Sequence, residues 1–267
     1  ITYTLDDDSD GHFAISGSNL TSTTKPLDAD TTSEHTITIR ATDQGGLFVT
    51  KTFNILIRKT IVPYHVDHYY VYERGNSFSI PYPGNFQAGD LLLLYYVGYG
   101  QADGKSGPRI SAISDADWNV TDTVYGVWGG YSLSAAFAYK IADGSEEGSI
   151  SLNANGTVDM NGSIHVYRNV NEDVPIRSFL RYNQRDWNMV GVQPSNSNQM
   201  LLVFGNHRTN FTDQAPPSPW NNIINGYNAF TWYLVSEVQM TENKVYSLRR
   251  TTSATTPSIA ISLIINP

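Results

Sequence analysis

The chain has 267 residues, a net charge of −8 and no cysteine. This balance excludes a general nucleic-acid binder, which needs clustered Lys and Arg, and it excludes a disulfide framework. Aromatic residues make up 12 % of the chain and charged residues only 16 %, which is typical of an all-β extracellular protein rich in Thr and Asn. No apolar run is long enough to span a bilayer, so we expect no membrane insertion.

The first sixty residues alternate apolar and polar side chains in short runs, which predicts half-buried strands. Such runs occupy residues 1–5, 13–15 and 36–42, and Asp43-Gln44-Gly45-Gly46 predicts a hairpin turn after the last of them. Pro63 favours an extended linker. We therefore place the boundary near residue 62, between a domain at 1–60 and a domain at 63–267.

A local acidic pattern, Asp6-x-Asp8-x-Asp10-Gly11, matches the beginning of a calcium loop. Hard Ca²⁺ prefers several oxygen ligands, and the glycine lets the chain turn sharply. Gly17 stands where the bidentate Glu of such a loop belongs, so only half of the motif is present. The alternative is a solvated acidic hairpin tip.

The first domain carries five short motifs: Ile1-Thr2-Tyr3-Thr4-Leu5, Gly11-His12-Phe13-Ala14-Ile15, Leu27-Asp28-Ala29-Asp30, Ala41-Thr42-Asp43-Gln44-Gly45-Gly46 and Phe53-Asn54-Ile55. In these motifs residues 1–58 resemble a bacterial cadherin-like repeat. The resemblance implies an immunoglobulin-like sandwich that serves as a spacer in surface adhesins, with Asp30 and Asp43 at acidic positions of the family. It also implies one or two earlier strands, so we expect this domain to be either truncated or completed by another segment.

The larger domain is organised around residues 89–97, an apolar run between turn residues that predicts a strand buried on both faces. Residues 198–205 repeat this run, and each copy is followed by a Trp, Trp118 or Trp220. This repetition predicts an antiparallel jelly-roll β-sandwich with two pseudo-repeated halves. The predicted strands are 65–73, 77–81, 90–98, 118–124, 131–140, 147–152, 161–168, 175–182, 199–206, 229–240, 244–250 and 258–265.

The larger domain carries the motifs Gly89-Asp90-Leu91-Leu92, Trp118, Tyr139-Lys140-Ile141-Ala142 and Tyr167-Arg168-Asn169-Val170. In these motifs residues 77–265 resemble a jelly-roll module of phage tail and bacterial surface proteins. The resemblance implies attachment or surface architecture and carries no catalytic residue.

The histidines give little indication of catalysis. On a regular strand His65 and His68 face opposite sides, whereas His65 and Asp67 share one. That pair is weak evidence for a metal, and solvated edge residues are the favoured interpretation. We therefore predict that the chain is not an enzyme.

A second candidate calcium site surrounds Trp118. Asp115, Asp117 and Asn119 alternate there before a strand, and their oxygens could bind Ca²⁺. An Asx-rich turn is the alternative interpretation.

Two tryptophans are candidates for ligand binding. Trp118 and Trp220 are equivalent in the two halves, which predicts packing, and Trp232 lies in an apolar run that predicts core. Trp128 and Tyr131 lie in a Gly-rich loop, residues 125–131, and Arg185 and Trp187 lie in an Asn- and Asp-rich loop, residues 183–188. Exposed aromatic rings beside polar groups are typical of sugar sites.

The first functional hypothesis is an attachment module of a bacterial adhesin or phage fibre, at the cell surface or on a virion. Its partners would be a glycan or cell-surface receptor, and neighbouring repeats or copies of the same protein. The second hypothesis is a structural assembly protein without a small ligand. A polysaccharide-degrading enzyme is a weaker third, since it needs two facing carboxylates.

Overall fold

The structure is a computed structural model. It describes residues 1–58, 61–103, 106–111, 113, 117–128, 130–182, 187–192, 194, 198–207, 218–227, 232–240, 244–250 and 258–267. Within these ranges the chain is all-β, as predicted, and contains no helix long and apolar enough to cross a membrane. It divides into two compact units, Ile1–Thr60 and Ile61–Pro267.

Unit 1 is built from one three-stranded sheet, β1-β4-β5, and a β2–β3 hairpin. The predicted turn at Asp43 is confirmed: its Oδ1 accepts hydrogen bonds from the backbone N–H groups of Gly45 and Leu47. Phe13 and Ile37 are its buried apolar side chains. The strands are β1 (Thr2–Asp7), β2 (Phe13–Ser16), β3 (Asn19–Ser22), β4 (Glu34–Thr42) and β5 (Phe48–Leu56).

Unit 2 contains two five-stranded antiparallel sheets, β6-β10-β7-β9-β8 and β11-β17-β13-β15-β14. If β12 and β16 are set aside, each half has the order first, last, second, fourth, third, so the predicted pseudo-repeat is present in the strand order. The strands are β6 (Tyr64–Pro81), β7 (Leu91–Gln101), β8 (Asn119–Trp128), β9 (Tyr131–Ile141), β10 (Ser149–Arg168), β11 (Ile176–Tyr182), β12 (Trp187–Val192), β13 (Met200–His207), β14 (Asn221–Tyr227), β15 (Trp232–Gln239), β16 (Tyr246–Arg250) and β17 (Ser258–Ile265).

The prediction is wrong about two strand breaks and omits two strands. β6 and β10 are each continuous where two strands were expected, and they bend where their pairing is interrupted between Asn153 and Val158 of β10. In this interval Ala154 forms a β-bridge with Ile110 instead. Beyond the bend, residues 77–81 and 149–153 form a paired flap. In the second half, the separate pair β12–β16 takes the place of the flap. β12 and β14 were missed because Asn and Gly interrupt their apolar pattern.

The central strand of each sheet is buried on both faces. All residues of β7 from Leu91 to Gly100 are buried, as predicted, and so is β13 from Met200 to Asn206. One face of each meets the other sheet in a shared core that includes Tyr95, Phe137 and Phe204. Unit 2 is therefore a β-sandwich.

The outer faces of both sheets are covered as well. The flap residues Phe78 and Ile150 pack with Trp118 against the first sheet. On the second sheet, Trp220 packs with Leu248 of β16. The two tryptophans thus have the equivalent packing roles that the sequence predicted.

An ion pair between buried Asp90 and partly exposed Arg168 opens β7. Gly89 has a φ of +87°, which favours glycine, and Asp90 after it is 1 % exposed. Its carboxylate accepts hydrogen bonds from Nε and Nη2 of Arg168 at 2.8 and 2.7 Å. The second half has a neutral counterpart, in which Nε2 of buried Gln199 donates to Oδ1 of Asn266 at 2.8 Å.

We expect Asp90→Asn to lower the free energy of unfolding of unit 2 by about 2 kcal/mol, because the change weakens the two charged hydrogen bonds from Arg168 to a buried side chain. Urea denaturation followed by Trp fluorescence measures this, since all five Trp residues belong to unit 2. The control is Arg74→Gln, which removes the more exposed pair with Asp159 and should cost less than about 1 kcal/mol. Equal costs would contradict the assignment.

Candidate functional site

The β8–β9 hairpin of the first sheet and the β14–β15 hairpin of the second sheet lie at the same end of the sandwich. The hydroxyl of Tyr99, near the end of β7, donates to Oδ1 of Asn206, near the end of β13, at 2.6 Å. The β8–β9 hairpin adjoins the end of β7, and the β14–β15 hairpin adjoins the end of β13. We call this the hairpin end.

The prediction that Trp128 and Tyr131 lie in a loop is wrong: Trp128 is the last residue of β8 and Tyr131 the first residue of β9. They are a cross-strand pair that closes the β8–β9 hairpin, with Gly130 in the turn at φ +85°. Tyr227 and Trp232 form the corresponding pair in the β14–β15 hairpin. Tyr227 was not among the predicted ligand residues, and the prediction that Trp232 belongs to the core stays a prediction. Aligning the hairpins of the two halves would have identified this pair.

The prediction that Trp187 lies in a loop is wrong: it is the first residue of β12 and pairs with Arg250. β11 ends at Tyr182, opposite Ala260, which lies two residues from the β17 residue paired with the end of β13. Five residues span at most about 17 Å, so the first residue of β12 lies within that distance of the end of β11. Arg185 lies outside the described residues.

Tyr125 on β8 and Arg109, which precedes β8, form an exposed aromatic–cation pair that was not predicted from the sequence. Tyr125 is 40 % exposed, and the guanidinium carbon of Arg109 lies 5.1 Å from its ring centroid. The Tyr125 hydroxyl donates to the carbonyl oxygen of Gly107. This pair lies three residues from Trp128 and adds a cation to the hairpin end.

The acidic residues predicted to bind calcium make other contacts. Asp6 is held by Nε and Nη2 of Arg40, Asp8 accepts a hydrogen bond from the N–H of Gly11, and the carbonyl oxygen of Asp10 accepts one from Lys25. Asp117 is exposed, and Asp115 lies outside the described residues. A calcium site at either place stays a prediction.

The structure instead brings together three histidines. Among the described residues, His65, His68 and His165 are the one group of three or more potential ligands with donor atoms close enough to hold a metal ion, all within 4.8 Å of one another. The ring centroids are 5.3 Å apart for His65 and His68, 5.7 Å for His65 and His165, and 5.5 Å for His68 and His165.

A β-bulge puts these side chains on one face. His68 pairs with His165 and Asp67 with Val166, but Tyr167 pairs with His65, so Val66 is an extra residue on β6. The extra residue reverses the alternation of side chains. The expectation that His65 and His68 face opposite sides is therefore wrong, and so is the expectation that His65 and Asp67 share a side.

The histidine cluster lies at the inner face of the first sheet. His165 is fully buried, and its ring centroid is 5.3 Å from that of Phe204 on the second sheet. Tyr167 lies 5.3 Å from His65 by the same measure, and its hydroxyl donates to the Glu237 carboxylate across the sandwich. His65 and His68 are half-buried.

Burial keeps these imidazoles neutral near pH 7. It lowers the pKa of His65 to about 4, and neighbouring His68 adds to the effect. It also lowers the pKa of His68, against the opposing charge of Asp67. The pKa of His165 lies well below its usual range, because the ring is buried and the other two histidines adjoin it. Neutral imidazoles present the lone pairs that metal ions need.

We expect the metal-free protein to lose stability as the pH falls from about 6.5 toward 4. In this window the unfolded chain binds a proton at His65 and the folded chain does not, so protonation favours unfolding. Above about pH 6.5 the ring is neutral in both states, and this loss of stability is absent. With allowance for solvent screening at this half-buried ring, His65 alone accounts for about 2 kcal/mol. Urea denaturation in EDTA at about pH 7 and about pH 4.5 should show a smaller loss for His65→Gln than for the wild type. An equal loss would contradict the buried neutral ring.

Comparison of the chain with protein-family models, with curated proteins and with solved structures found no match. The family resemblances therefore rest on the sequence motifs alone.

Proposed function

We propose that this chain is a non-enzymatic attachment module of a surface adhesin or phage fibre, in which a cadherin-like spacer carries a jelly-roll domain that binds glycan. The observation that carries the proposal is the concentration of aromatic residues at the hairpin end. Trp128 and Tyr131 close one hairpin, and Tyr227 and Trp232 close the other.

The strand order strengthens this argument. The Tyr167–Glu237 hydrogen bond joins β10 to β15, and the Tyr99–Asn206 bond joins β7 to β13. The two sheets therefore face each other in opposite order, with β8 across from β11. Trp187 follows the end of β11 by five residues, which is compatible with a position on the flank that carries the Trp128 hairpin.

This end combines the groups that recognise a sugar. Aromatic rings pack against the apolar face of a pyranose, and nearby polar groups bind its hydroxyls. The guanidinium of exposed Arg109, beside Tyr125, is a candidate donor. The backbone N–H of Arg109 donates to Oδ1 of Asn155 at 2.8 Å, which holds this residue in place. A cation held over a ring also favours acidic sugars.

The test is a glycan-array screen of the full chain, followed by titration of any glycan that binds. We expect Trp128→Ala to weaken binding roughly tenfold or more, because one stacking contact is worth about 1 kcal/mol or more beyond its buried area. Tyr69→Ala is the control, since Tyr69 is 44 % exposed on β6, away from the hairpin end. Equal loss in both variants, or no binding by the wild type, would contradict the proposal.

The alternative function, assembly with further copies, is favoured by one observation in unit 1. β5 is the edge strand of its sheet, and Phe48, Val49 and Leu56 on it are exposed. Edge strands with exposed apolar side chains pair readily with other chains. Under this alternative the chain would self-associate in solution, and Val49→Lys would return it to a monomer, as judged by light scattering.

A further inference from the structure

The three histidines of unit 2 form a site whose chemistry differs from that of the calcium sites predicted above. We propose that His65, His68 and His165 bind a single divalent first-row transition-metal ion, with Zn²⁺ as the occupant. The inference does not depend on the proposed attachment function.

Two ring nitrogens argue for a ligand. Nδ1 of His165 and Nε2 of His65 are buried, and neither has a hydrogen-bond partner. His165 is fully buried, so an unsatisfied nitrogen there is costly. A metal ion between the rings would accept both lone pairs.

The other nitrogen of each ring is already held. Nε2 of His165 shares a hydrogen bond of 2.7 Å with the Ser163 hydroxyl, which leaves Nδ1 for a metal. His65 makes a hydrogen bond with the backbone of Asp67 that favours its protonated ring, so Nδ1–H is the donor and Nε2 carries the free lone pair. Metal-bound histidines are typically oriented by such a bond from the second nitrogen.

The donor set selects the metal. Imidazoles suit Zn²⁺, Ni²⁺ and Cu²⁺, whereas Ca²⁺ and Mg²⁺ require oxygen ligands. Zn–N bonds of about 2.0–2.1 Å in a tetrahedral site put the nitrogens about 3.3 Å apart. The donor atoms lie within 4.8 Å of one another, so small ring rotations bring them into place. Water would take the fourth position.

The position of the site indicates a structural role. His165 pairs with Leu93 of β7, and Tyr131 of the hairpin end pairs with Gln101. Eight residues of strand separate these levels by about 27 Å, so the ion would not touch a glycan at the hairpin end. It would fix the bulged beginning of edge strand β6 to β10.

The test is thermal unfolding of the full chain, stripped with EDTA and then supplied with ZnCl₂. At free Zn²⁺ a hundredfold above its Kd, the unfolding equilibrium shifts about 100-fold toward the folded state, and Tm rises by roughly 5–10 °C. CaCl₂ at the same concentration should leave Tm unchanged. Co²⁺ should bind with a stoichiometry of one and give the visible absorption of a four-coordinate nitrogen site.

His68→Ala should abolish the Zn²⁺ shift, and His65→Ala is a second variant in case the first folds poorly without metal. The matched control is His12→Ala. His12 lies against His35 in unit 1, with ring centroids 4.7 Å apart, and that pair is separate from the cluster. This variant should keep the shift. No shift in the wild type, an equal shift with Ca²⁺, or loss of the shift only in His12→Ala would overturn the proposal.

Discussion

The architecture of unit 2 depends on burying both faces of its central strands. β7 and β13 present apolar side chains on both sides, and a single pair of sheets covers only one side of each. The other side needs its own cover, which the first half obtains by bending β6 and β10 over the sheet and the second half obtains from β12 and β16. The buried Trp118 and Trp220 fill the space under each cover. The apolar character of β7 and β13 on both faces thus accounts for the two sheets and for the cover on the outer face of each.

Much of this could be predicted from sequence because burial on both faces leaves a continuous apolar run. Residues 89–97 and their repeat identified β7 and β13, and the equivalent tryptophans identified the packing under the covers. The turn at Asp43 could be predicted as well, because the Asp43 side chain accepts a hydrogen bond within the turn and Gly46 adopts the positive φ that the turn requires. Each of these features is encoded within a few neighbouring residues.

The histidine cluster could not be predicted in the same way. Sequence alternation assigns a side chain to a face only while the pairing is regular. The extra residue Val66 is defined by how β6 pairs with β10, whose sequence lies about a hundred residues away, and a bulge there reverses the assignment of His65. The third ligand, His165, comes from that distant strand. Predicting the cluster would have required the register between β6 and β10, which no alternation pattern within one strand contains.

The long pairing of β6 with β10 has a mechanical consequence. β6 is the first strand after unit 1, and its pairing with β10 runs from Tyr64 to Pro81, interrupted only at the bulge and the bend. A pull along β6 therefore loads many hydrogen bonds in parallel, so that they resist together instead of opening one after another. Tension that enters at Tyr64 would therefore pass into the sandwich while the Asp90–Arg168 pair and both central strands stay in place.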